Sequence, residues 1–358
     1  MAILVHQELP DTFGASTGTS YSLLLVATNG SIVASAKPRH PSSVTFTYKN
    51  CPRSPLPTCK VGYLPRAPLV TSSNTRAYYL DGDSDVGYLT PDGRKGTAIH
   101  LPAKPQVRYA VAVSPDDSRM AVAAFEYLGA GTWGAPRVKL SIYVQDLAGG
   151  NRVDLFSSTT VNEWPIGWNG EHLVIAVGPG AYVQYTVDNP YFAVDGYHIA
   201  DATSGRRVAA IGGECIYGPV VRAGAACVFN DSTQNVLGYR SWDAVRHSFD
   251  PSSGSGPGAL SPDGSQLAGS AWRAGGKANW HLALAADSGS HELAVTGIVQ
   301  GWLDDQHLVY FTVATNKTFI LDLVTGVSAP VPQAIPKPLP GHERAYLQFL
   351  GTVPQQIS

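Results

Sequence analysis

The sequence predicts an all-β fold, a seven-bladed β-propeller with four antiparallel strands in each blade. Three observations carry this. A pair of short hairpins recurs along the chain, and repeats of roughly 40–50 residues with four strands apiece are the signature of propeller blades. Turns punctuate the whole sequence, with 37 glycines and 26 prolines in 358 residues, and no stretch keeps a helical period over a useful length. The strand-like runs are rich in valine, isoleucine, tyrosine and leucine in partly alternating order, as suits sheets packed face to face. A β-sandwich is the alternative, but it leaves the sevenfold recurrence of the same hairpin pair without a cause.

The first hairpin of each repeat is a short apolar strand, a turn built on glycine or an Asp/Asn pair, and a second strand. It reads YAVAVSPDDSRMAVAAF, PIGWNGEHLVIAV, GALSPDGSQLAGSAW and IVQGWLDDQHLVYFTV. The second hairpin follows it, as LLLVATNGSIVAS, GYLTPDGRKGTAIHL, IYVQDLAGGNRVDLF, YHIADATSGRRVAAI, LALAADSGSHELAV and FILDLVTGVSAPV. LGYRSWDAVRHSF fills the same slot with Ala244 where the others have glycine. The seven second turns fall at Gly30, Gly93, Gly150, Gly205, Ala244, Gly289 and Gly326, which numbers the blades.

Ring closure is read from the ends. The turn at Gly30 has only its two outer strands clearly beside it, and the strand-like run at 343–353 has no turn after it. A propeller must protect its sheet edges, and a blade shared between the termini does so. Residues 343–353 are therefore expected to join residues 20–37 in one sheet, making 1–358 a single domain.

The runs Val111–Ala124 and Gly258–Ala271, each followed by IYVQDLAGG or LALAADSGS, resemble the WD40-like repeats of TolB-type propellers. The same repeats occur in the propeller domains of prolyl-oligopeptidase-like enzymes. The resemblance covers two clear blades and four weaker ones. It implies the fold and says little of function, because such repeats serve transport accessories, peptidase lids and lipoproteins alike. No α/β-hydrolase segment is present in the sequence, so the peptidase association is not expected to carry over.

Composition narrows the function classes. A net charge of −2 supplies no basic footprint, so a nucleic-acid partner is not expected. The longest apolar runs fall far short of the ~20 residues that cross a bilayer, and a monomer is expected. Cys51 and Cys59 bracket PRSPLPT, while Cys215 and Cys227 flank a hairpin turn at Val221–Gly224. Neither pair has zinc spacing. Disulfides 51–59 and 215–227 are expected, with an oxidising, extracytoplasmic or secreted location; the alternative is four reduced, buried cysteines. MAILVHQELP has no basic n-region and too short an apolar run for a signal peptide, so a leader or anchor would lie outside this sequence.

Two features could carry function. In YYLDGDSDVGYL, Asp81, Asp83 and Asp85 alternate as they do at the start of a calcium loop. An EF-hand loop, however, needs glycine at position six and glutamate at twelve; counting from Asp81 these are Val86 and Asp92. Set in the repeat, the stretch joins a second strand to a third. A turn is expected, with no metal and no cofactor. The long connections Glu126–Arg137 and Gly178–Phe192 fall in consecutive blades on that same face. They hold Tyr127, Trp133, Tyr182, Tyr185 and Tyr191, aromatics suited to holding a ligand or partner at low entropic cost. The alternative is that these rings fold down as a cap.

GASTG (Gly14–Gly18) has the nucleophile-elbow pattern without the parallel α/β sheet that the elbow needs, and the histidines include no pair at helical metal spacing. The expected function is a non-catalytic binding or scaffold module that recognises a protein or small ligand on its loop face. The alternative is a hydrolase or lyase acting on a glycan or small metabolite at the channel mouth.

Overall fold

The structure, a computed structural model, describes residues 1–7, 20–49, 58–65, 67–130, 136–178, 194–215, 217–231, 234–249, 258–273, 279–312, 314–332 and 347–357. Blade one takes β1 (Ala2–Gln7), β2 (Tyr21–Val26) and β3 (Ile32–Ala36) from the start of the chain. A two-stranded ribbon, β4 (Val44–Lys49) with β5 (Thr58–Tyr63), stands between blades one and two. Blade two is β6 (Val70–Ser72), β7 (Ala77–Asp81), β8 (Asp85–Leu89) and β9 (Lys95–His100). Blade three is β10 (Val107–Val113), β11 (Arg119–Ala130), β12 (Pro136–Asp146) and β13 (Val153–Ser158). Blade four is β14 (Asn162–Asn169), β15 (His172–Gly178), β16 (Gly196–Asp201) and β17 (Arg207–Ile211).

Blade five is β18 (Tyr217–Val221), β19 (Gly224–Asp231), β20 (Gln234–Arg240) and β21 (Arg246–Ser248). Blade six is β22 (Ala259–Leu260), β23 (Gln266–Arg273), β24 (Asn279–Ala286) and β25 (Gly289–Thr296). Blade seven is β26 (Ile298–Asp304), β27 (His307–Thr312), β28 (Lys317–Asp322) and β29 (Ser328–Pro330). The last strand, β30 (Gln348–Thr352), returns to blade one as its innermost strand. Seven blades of four antiparallel strands make the expected seven-bladed propeller.

The closing strand pairs with β1, in register from Ala2↔Thr352 to Val5↔Gln348. Residues 20–37 share that sheet, but through β1 rather than by pairing with β30. AILVHQ supplies the missing second strand of blade one, which carried no hairpin signal because its turn partner lies at the far end of the chain. Residues 343–346 of the expected closing segment lie outside the described residues.

Turn chemistry explains the repeat. In the second hairpin of blade four, Asp201 Oδ1 accepts from the amides of Thr203 and Ser204 at 3.1 and 2.7 Å. In blade seven, Asp322 Oδ1 accepts from the amides of Val324 and Thr325 at 2.8 and 3.1 Å. A carboxylate that caps the turn and a following residue with positive φ are what the D-x-x-[ST]-G pattern encodes. Gly205 and Gly326 both have φ 70°. Ala244, in the same slot of blade five, has φ 68°, and a side chain there is strained. The left-handed conformation costs an L-residue roughly 1–2 kcal/mol, of which glycine's extra unfolded-state freedom takes back roughly 0.5–1 kcal/mol. Ala244→Gly is therefore expected to raise stability by about 0.5–1 kcal/mol. The midpoint of a urea titration checks this, and a lower midpoint would contradict it.

The blades are sewn together on the face where first and second strands meet. Tyr78 Oη of blade two donates to Asp117 Oδ1 of blade three at 2.7 Å, and Arg119 pairs with Glu171 of blade four at 2.5 Å. The Asp263 amide of blade six donates to Asp305 Oδ1 of blade seven at 2.9 Å. Deeper in, Trp168 Nε1 donates to Ala112 O at 3.0 Å and Trp302 Nε1 to Ala259 O at 2.8 Å, each reaching the preceding blade. Both indoles are fully buried. The apolar core lies between neighbouring blades: Ile3, Leu23 and Leu25 of blade one meet Val70, Ala77 and Leu89 of blade two, and so on around the ring.

Candidate functional site

Strand order divides the connections between two faces. Second-to-third-strand connections and blade-to-blade connections leave one face of a propeller, and the remaining hairpin turns leave the other. At the first face end the strands that flank residues 8–19, 131–135, 179–193, 274–278 and 333–346, which lie outside the described residues, and the β4–β5 ribbon stands there too. The other face has short turns only. We call these the long-connection and short-turn faces.

The acidic stretch lies on the long-connection face as the expected β7–β8 turn, and its carboxylates are taken by the chain itself. Asp81 Oδ1 accepts from the Arg39 amide at 2.8 Å and from Arg39 Nε at 2.9 Å. Asp85 Oδ2 accepts from Arg39 Nη2 at 2.9 Å, while Asp85 Oδ1 meets His100 Nδ1 at 2.8 Å. Asp83 Oδ1 accepts from the Ser42 amide at 2.7 Å. Residues 39–42 lead into the ribbon, so the three aspartates form a latch that fixes where the ribbon stands.

Beneath the latch sits Arg108 of β10, only 3% exposed. Its Nε donates to Ser42 O at 2.5 Å and its Nη1 to Val107 O at 2.6 Å. Its Nη2 donates to Ser42 Oγ at 2.8 Å and lies 3.3 Å from Asp83 Oδ2. Asp83 thus balances a buried guanidinium. Burial raises the Asp81 carboxyl, but the hydrogen bonds and charge of Arg39 more than reverse this and hold it below its ordinary range. The sign follows: a depressed carboxyl stabilises the fold fully above about pH 4, and that contribution is lost as pH falls through its folded pKa. Arg39 is exposed, so its pairs contribute less than about 1 kcal/mol.

The weight of the latch therefore falls on Asp83 and Arg108. Asp83→Ala strands a buried charge and frees the Ser42 amide, which should cost about 2 kcal/mol, discounted because Asp83 is itself partly exposed. The loss is local. Hydrogen exchange across Val44–Lys49 should speed up about 30-fold, with little change in the exchange of blades five and six. Unchanged protection of β4 would show that the latch does not hold the ribbon.

Aromatic packing fixes the ribbon from below. Tyr63 of β5 stacks on Tyr127 of β11 at 6.3 Å and packs against Phe46 of β4 at 6.1 Å. The hydroxyls of Tyr48 and Tyr63 share a hydrogen bond at 2.6 Å. Burial, helped by the Tyr48 bond, pushes the Tyr63 phenol far above its ordinary range. Tyr127, expected on a connection, belongs to a strand: β11 runs on to Ala130 and β12 begins at Pro136, with a bulge between Tyr127 and Gly129. The Tyr127 side chain is wholly buried beneath the ribbon. Trp133, Tyr182, Tyr185 and Tyr191 lie outside the described residues, as does Cys51. Cys59 is disulfide-bonded, and Cys215 is bonded to Cys227.

Among the described residues no group of three or more His, Cys, Asp or Glu is arranged to hold a metal ion. The carboxyls with shifted protonation sit in their own turns, except for Asp263 and Asp305, which meet between blades six and seven. Asp201 is lowered by Ser204 and Asp322 by Thr325, each in its own turn, while Asp305 is raised by burial on the short-turn face. No described helix is long and apolar enough to cross a membrane.

The sequence reading missed the ribbon and its latch, because Arg39 and Ser42 lie about forty residues from the aspartates they meet. It also missed the run TVPQQI after the last apolar strand. Val353, Gln355 and Ile357 of that run are buried, Val353 in the cluster between blades one and two and Ile357 in the cluster that holds Trp168 of blade four. The alternation of acids before a glycine was the one local signal of the latch.

No family model matches the chain, and no curated protein sequence matches it. Solved structures similar to it include an oligogalacturonate lyase from Vibrio parahaemolyticus, at 10% identity over 92% of this chain and 90% of that one, with a TM-score of 0.47. The β-propeller domain of the Trilobed protease from Pyrococcus furiosus is similar at 12% identity over 74% of this chain and 82% of that one, with a TM-score of 0.45. TolB from Acinetobacter baumannii is similar at 12% identity over 97% of this chain and 65% of that one, with a TM-score of 0.37. These are likenesses of fold. The architecture expected from the TolB-type repeats rests on the strand order itself, seven four-stranded blades closed by β1 and β30.

Proposed function

We propose that this propeller is a binding or scaffold module of an extracytoplasmic compartment, taking a protein or small ligand on its long-connection face. The observation that carries the reading is the asymmetry of the ring. Its ribbon and the strand ends that lead into its long connections gather on one face, while the other face carries short turns. A rigid ring with elaborated loops on one side is the usual way of building a recognition surface. In this reading Trp133, Tyr182, Tyr185 and Tyr191 supply the contact area, and Tyr127 acts from beneath by supporting the ribbon. The Cys215–Cys227 disulfide supports the location.

The test is a thermal-shift screen of peptides and oligosaccharides against the chain and against a variant with those four aromatics changed to alanine. Any ligand of the native state raises Tm by mass action. A ligand that shifts the chain by about 3 °C and leaves the variant unmoved would support the reading. A ligand that shifts both equally would place the site elsewhere.

A further inference from the structure

On the short-turn face the segment after β30 passes from blade to blade. After β30, the main chains of Met1 and Val353 continue the ladder, with Val353 N donating to Met1 O at 2.9 Å. Beyond that the chain leaves blade one. The Gln355 amide donates to Ser73 O of blade two at 3.0 Å. Gln356 Nε2 donates to Trp302 O at 2.8 Å and to Leu303 O at 3.0 Å, both on the inner strand of blade seven. Ile357 reaches blade four, where a Cβ on Gly167 would come within 2.7 Å of its Cγ2. It joins the apolar cluster that contains Trp168 and is 3% exposed.

Blade four lies across the ring from blade one, so a segment touching both crosses the mouth. Inner strands turn an unpaired edge to the channel, and carbonyls there need donors. The Gln356 side-chain amide answers two of them on β26, the Gln355 backbone amide answers the Ser73 carbonyl just past β6, and Ile357 packs into the apolar cluster around Trp168. The absence of a side chain at Gly167 makes room for it.

We propose that Pro354–Ile357 is a built-in plug, which seals the channel at the short-turn face and clamps blades two, four and seven to blade one. Ligands and solvent then have one entrance, from the long-connection face. The plug is a separable part held by a few hydrogen bonds and one apolar seat, so it can be removed and returned in trans. Tethering gives it an effective concentration of order millimolar, which keeps the channel closed.

The experiment uses the chain ended after Val353 and a peptide of residues 352–358. Hydrogen exchange of the inner strands β14 and β26 should quicken at least tenfold in the shortened chain, with the outer strands β17 and β25 unchanged. Adding the peptide at millimolar concentration should restore protection; a peptide carrying Gln356→Ala and Ile357→Asp should not. Unchanged exchange in β14 and β26 would overturn the plug, as would restoration by both peptides alike. Should the shortened chain fail to fold, the full chain with Ile357→Asp gives the same readout. Protection of its β14 strand equal to that of the unaltered chain would overturn the proposal.

Discussion

Phe349→Ala is expected to destabilise the protein by about 3–5 kcal/mol, the range for emptying a buried aromatic site. Phe349 lies in β30 and is 2% exposed. Its ring lies against Gly301 of blade seven, where an added Cβ would come within 2.3 Å of the ring carbons. The last blade can therefore approach the closing strand only because residue 301 has no side chain. Gly301→Val should be destabilising for the converse reason, since overpacking forces the ring out of its seat. The double variant is the sharper measurement. Valine at 301 partly fills the space left by the missing ring, so the two costs should fall short of adding by at least 1 kcal/mol. Simple additivity in chemical denaturation would show that the two residues do not share the closure. The effect reaches beyond one blade, because β30 joins the end of the chain to its start through β1.

How far the fold was legible follows from where its signals lie. The seven second-hairpin turns could be read because each signal is complete over a few residues: a residue with positive φ stands in every one, with a side-chain oxygen capping turn amides before it at Asn29, Asp201 and Asp322. Even Ala244, the exception in composition, keeps the φ of the rule. The strand at Ala2–Gln7 could not be placed, because its partners are β2, across an intervening connection, and β30, at the other end of the chain. The ribbon was missed for another reason. VTFTYK and TCKVGY alternate as strands do, but they fit neither hairpin of the repeat, and what gives them a place is Tyr127 and Arg108 on blade three. The acidic turn was legible as a turn but not as a latch, since a carboxylate's partner is decided by tertiary contact. Asp83 looked like the middle of a metal loop, and its oxygens are spent on Ser42 and a buried arginine.

Breaking the Cys215–Cys227 disulfide, by reduction or by changing both residues to serine, should cost about 3 kcal/mol. The bond closes a loop with a sequence separation of 12, and chain-entropy arguments give about that much for a loop of this size. Cys227 lies on β19 and Cys215 two residues before the start of β18, so the bond ties the inner hairpin of blade five across the Val221–Gly224 turn. Both residues are buried, in the cluster that joins blades three, four and five. Serine hydroxyls there would lack apolar complementarity, so Cys→Ala at both positions is the cleaner variant and isolates the entropic part. Unfolding entropy scales with chain length, and about 3 kcal/mol should lower Tm by only about 4 °C in a single cooperative transition. The midpoint in urea should move more clearly. The same bond tests the compartment. A native preparation under non-reducing conditions should weigh four hydrogens less than the reduced chain if 51–59 and 215–227 are both closed. Free thiols in that preparation would remove the argument for an oxidising location and leave the propeller untouched, because the blades are held by strand pairing and inter-blade packing that need no covalent link.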